Sequence, residues 1–171
     1  MRADFYQRML DTAMDFFLAG ERCNLPMKFG NYESHSLAAS IVSNYALSIE
    51  LALKLLASKN GIPELKWNRV HNLATLFEIL PPIVREEIQT EASASFNVEK
   101  FVDEIAKTFV DWRYPFEKDF LYADTSNMRR LFIACHAVIR KSHPTLIGSL
   151  EQKWGSFNPD STWIDYEIEN S

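Results

Sequence analysis

A chain of 171 residues is long enough to bury one real core and too short for two well-formed domains. With 47% apolar and 24% charged residues the composition is globular rather than disordered, and five glycines leave few of the turns that an all-β sandwich needs. A formal charge of -5 excludes a global basic field for gathering phosphates, so any nucleic-acid contact has to be local.

From about Ala3 to Ala19, Phe5, Met9, Ala13, Phe16 and Phe17 recur at helical steps, and Gly20 is read as the stop. The segment Cys23 to Glu33 carries turn residues and no periodicity, so it reads as a loop with Ser34 as the next N-cap. A helix from about His35 to Lys59 follows, with Leu37, Ile41, Tyr45, Leu47, Leu51 and Leu55 in step; its second half is apolar almost all round, which makes it the central helix. Asn60 and Gly61 close it. A short helix spans Asn72 to Leu80, Pro81 and Pro82 force a break, and a polar helix runs from Ile83 to Ser93. Asn97 caps a helix carrying Phe101, Ile105, Phe109 and Trp112 that continues to Arg113, where Pro115 stops it. A helix from Ser126 to about Lys141 and a short one near Leu146 to Trp154 complete the set. The expected fold is therefore all-α, an up-and-down bundle of six to seven helices in one domain over residues 1–155, with an acidic tail over residues 156–171 that docks on a partner or on its own domain, or frays.

Cys23 and Cys135 are far apart, without C-x-x-C spacing, and lie among small or apolar neighbours, the pattern of free thiols in a reducing cytoplasm. The opening MRADFYQRML has no uncharged apolar run, and no stretch approaches about eighteen consecutive apolar residues, so a cytoplasmic protein without a membrane span is expected. Phosphate-loop, dinucleotide, zinc-protease and serine-hydrolase motifs are all absent from the sequence, and the four histidines form no i, i+4 pair, so no cofactor and no metal site is expected.

Chemistry is left to polar residues planted among apolar ones. Asn44, Glu50 and Lys54 lie on the central helix, Glu50 and Lys54 at the i, i+4 spacing of an ion pair that is either a solvated stripe or part of a binding site. Arg113, Tyr114 and Glu117 stand in WRYPFE, where a guanidinium held among aromatics is either a structural clamp or a fork for a phosphate. His71, beside Asn72, is either a helix cap or a neutral imidazole able to take a proton from a ribose hydroxyl.

Three segments in order, NYALSIELALKLL, HNLATLF and DWRYPFE, resemble the HEPN family over about Ser36 to Lys141. They carry N-x-A-x-x-x-E-x-x-L-K (Asn44, Ala46, Glu50, Leu53, Lys54), H-x-L-x-x-L (His71, Leu73, Leu76) and R-Y-x-x-E (Arg113, Tyr114, Glu117). The resemblance implies a helical bundle that commonly dimerises, with a polar cleft whose active members cut RNA without a metal. Those members carry an Arg followed four to six residues later by a His, and after Arg113 the segment reads YPFEKDFLYADT, with no histidine. Arg129 or Arg130 with His136 has comparable spacing but lies on the last core helix, away from the family's usual position. Two functions stay open: an RNA- or nucleotide-binding protein of a defence or toxin–antitoxin setting that cleaves RNA through Arg113, His71 and Glu117, or a non-catalytic helical module that dimerises and holds a protein partner or antitoxin.

Overall fold

The computed structural model describes residues 2–25, 27–29, 32–34, 37–112 and 123–146. The chain is all-α in class, built of α1 (Arg2–Cys23), α2 (Ala38–Lys59), α3 (Leu73–Glu78), α4 (Pro82–Ala92), α5 (Val98–Glu104), the single turn α6 (Thr108–Asp111) and α7 (Thr125–Ser142). A small antiparallel hairpin, β1 (Met27–Phe29) with β2 (Tyr32–Ser34), interrupts the helices. It occupies the segment read as loop, and Ser34 pairs with Met27 in it instead of capping a helix. Three-residue strands are too short to leave a periodic signal.

α2 is the hub, packing against α1, α3, α6 and α7. Ile49, Leu53, Leu55 and Leu56 are at most 0% exposed, and each contributes on the order of 2 kcal/mol of transfer free energy. The helix is long and apolar enough to cross a membrane, but 67% of its most apolar stretch is buried against the rest of the domain, as in a core helix. Its end follows from local chemistry: Gly61, at φ 75, gives its N–H to the Ser58 carbonyl, and Ile62 gives its own to Ala57, the two bonds of a Schellman close.

Gly20 does not end α1, which runs on to Cys23. A Cβ at Gly20 would lie 2.6 Å from two carbons of the Tyr45 ring, so glycine here lets α1 and α2 approach closely. The buried stripe of α1 is Leu10, Ala13, Met14 and Phe17, while Phe5 stays exposed. Phe17 stacks between Tyr45 and Phe132, locking α1 and α7 to α2.

The helix expected from Asn97 to Arg113 is broken into α5 and α6. At the break the Ala106 carbonyl accepts the N–H of Leu73, one of the donors that the first turn of α3 leaves without an intrahelical partner. Asn72, Asn97 and Asp124 cap α3, α5 and α7 by accepting from Thr75, Lys100 and Asn127. The expected short helix near Leu146 to Trp154 and the acidic tail lie outside the described residues beyond Leu146.

Candidate functional site

Glu50 and Lys54 are one turn apart on α2, and on a helix that spacing stacks them on one face. They are not a solvated stripe. Their side chains are 5% and 8% exposed, with Lys54 Nζ 2.8 Å from Glu50 Oε1. Two charges taken that far from water persist only as partners.

The connection from α2 to α3 folds back over this pair. Trp67, buried, anchors it by donating its indole N–H to the Ile62 carbonyl at 3.1 Å. Lys54 Nζ then donates to the Asn68 carbonyl, also at 3.1 Å, tying the connection to α2 from beneath. Three residues on, His71 Nδ1 lies 3.0 Å from Glu50 Oε1. The capping of α3 is done by Asn72, whose side chain accepts from Thr75 N at 3.0 Å, and this leaves the neighbouring imidazole for Glu50. Anchored by Trp67 and Lys54 on one side and by the start of α3 on the other, His71 is held over a buried carboxylate while its side chain remains 57% exposed.

Glu50 is only partly satisfied. Oε1 takes both the Lys54 ammonium and the His71 ring, whereas Oε2, buried, has no hydrogen-bond partner among the described residues. An ionised carboxylate accepts only, so Nδ1 of His71 donates to it, and the neutral ring keeps its lone pair on Nε2. A partly exposed imidazole oriented in this way by a carboxylate is equipped to take a proton from a bound hydroxyl.

Of the other expected site residues, Asn44 spends its amide on the Ser40 carbonyl of its own helix and lies about 120° around α2 from Glu50. Arg113, Tyr114 and Glu117 lie outside the described residues; α6, which packs on α2, ends at Asp111 with Trp112 half-buried behind it. Arg129 and His136 on α7 are engaged elsewhere. Arg129 Nε donates to both Glu21 carboxylate oxygens at 3.0 Å, and His136 is buried near the Phe132 ring. Burial first, and then the Arg140 charge, push His136 down to about 4, so it is neutral at ordinary pH.

Sequence reasoning missed a second, half-buried carboxylate, Glu21, which joins α1 to α2 through the Tyr45 hydroxyl and to α7 through Arg129. Burial, and then the bond to Glu21, hold the Tyr45 phenol well above its usual range. Glu21 and Arg129 are 108 positions apart, and no local spacing signals such a pair. Cys23 and Cys135 are free thiols, and burial pushes Cys135 up to about 12, which leaves it unreactive. Among the described residues, no group of three or more His, Cys, Asp or Glu gathers to hold a metal ion. No family model matches the chain, and no curated protein or solved structure does either.

Proposed function

We propose that this is a HEPN-like protein that binds RNA and cleaves it without a metal, acting as a homodimer in a defence or toxin–antitoxin setting. The observation that supports this reading best is the contact of His71 Nδ1 with the buried Glu50 carboxylate, 3.0 Å long. In the cleavage, His71 Nε2 takes the proton of a ribose 2'-hydroxyl, the freed oxygen attacks the adjacent phosphorus, and the 5'-oxygen leaves with a proton. A 2',3'-cyclic phosphate and a 5'-hydroxyl end are the products. Arg113 as the phosphate fork and Glu117 as the proton donor to the leaving oxygen enter on the resemblance alone. So do the dimer and the biological setting.

A specific observation favours a second reading, a non-catalytic helical module that dimerises or holds a protein partner. Lys54 also grips the Asn68 carbonyl, so the same cluster works as a clamp for the connection between α2 and α3. Incubation of the protein with RNA in EDTA separates the two. Under the first reading the wild type cuts RNA, and His71→Ala and Arg113→Ala each lower the rate by about a hundredfold without unfolding the chain. RNA left intact by the wild type supports the clamp and the interaction module.

A further inference from the structure

Lys54 does two things with one ammonium. It donates to Glu50 Oε1 at 2.8 Å and to the Asn68 carbonyl at 3.1 Å. A protonated amine, with three donors and no lone pair, suits both acceptors at once. Its stem is buried along α2, and no other cation contacts Glu50 among the described residues. Glu50 in turn is the group set against His71 Nδ1 among the described residues. The order of contact therefore runs from the Asn68 carbonyl through Lys54 and Glu50 to the imidazole, three side chains from two elements.

We infer that Lys54 is a positioning residue for His71: it keeps Glu50 a carboxylate and fixes the imidazole in its Nδ1–H tautomer, with the lone pair on Nε2 on the side of the ring away from Glu50. The physical reason lies in the burial of Glu50, whose Oε2 has no partner among the described residues. A carboxylate so far from water is retained by the counter-charge on Lys54. Without that cation the arrangement is relieved by proton uptake. Nδ1 then faces a neutral acid instead of an anion, and nothing holds the ring proton inward. Glu50→Gln separates charge from geometry: Lys54, a donor only, holds the amide oxygen at the place of Oε1, and that oxygen still accepts the Nδ1 proton of His71. For its catalytic consequence the inference rests on the reading of His71 as the proton acceptor; the tautomer itself does not depend on that reading.

The test is the ring 15N spectrum of His71 in the full chain, recorded with the imidazole neutral, for the wild type, Lys54→Met and Glu50→Gln. The expected result is Nδ1–H in the wild type and in Glu50→Gln, and a shift of the proton towards Nε2 in Lys54→Met. RNA cleavage measured beside it falls about a hundredfold in kcat, with KM nearly unchanged. An Nε2–H ring in the wild type overturns the inference, and this needs no variant to fold. A ring proton that stays on Nδ1 in a folded Lys54→Met overturns it as well. The expected tautomers in a wild type that leaves RNA intact support the positioning role and overturn the ribonuclease reading alone.

Discussion

Two carboxylates, Glu50 buried on α2 and Glu21 half-buried against it, are built to different ends. Glu21 at the end of α1 has both oxygens engaged, one of them twice, by Arg129 and the Tyr45 hydroxyl. Three helices meet there, α1, α2 and α7, and the result is a closed clamp. Glu50 is more deeply buried than Glu21, 5% against 13% of the side chain exposed, yet it is less satisfied. One of its oxygens has no partner among the described residues, and the other reaches a half-exposed imidazole. Stability alone favours the saturated arrangement, because an unfilled acceptor away from water costs about 1–3 kcal/mol. A carboxylate that carries this cost beside an exposed histidine marks the better candidate for chemistry.

Removing the cation from each cluster breaks the comparison most directly. Lys54→Met takes the counter-charge from the buried Glu50, which must then be protonated to stay out of water, and costs about 4 kcal/mol in chemical denaturation. Arg129→Met costs about 2 kcal/mol, since Glu21 keeps Tyr45 and both groups of that pair are more exposed. Equal losses would show that the Glu50 pair is no more strained than the Glu21 clamp.

Acidification acts on the clamp side through α7. His136 stays neutral in the folded chain down to about 4, whereas the ordinary value is 6.5. Between those values the unfolded chain binds more protons, so stability falls as the pH drops through that window, by about 3 kcal/mol in all. Thermal midpoints followed from pH 7 to pH 4 read this slope, and His136→Leu flattens it.

The smallest effect sharpens the comparison from the Glu50 side. Asn72→Ala removes the cap of α3 next to His71 and costs about 1 kcal/mol, measured by urea denaturation. It leaves the Glu21 clamp untouched, so additivity with Arg129→Met is expected.

Much of this was legible in the order of residues. The periodic apolar positions of α2 announced the central helix, Asn60 with Gly61 its end, and Asn97 the start of α5, because each depends on neighbours within a turn. Glu50 and Lys54 were visible as a pair for the same reason. Their burial was not, nor was the approach of His71 from 21 positions away. Gly20 was misread because a glycine looks alike in sequence whether it ends a helix or lets a tyrosine ring lie against it. The division of the helix after Asn97 was equally hidden, since the Ala106 carbonyl finds its donor at the start of α3. By itself the sequence determined the helical class, the central helix and the caps at Asn60–Gly61 and Asn97, which are short-range matters of periodicity and backbone hydrogen bonding. Only the tertiary structure decided which charges leave water and which histidine meets a carboxylate, because desolvation and long-range contact come from how the helices pack.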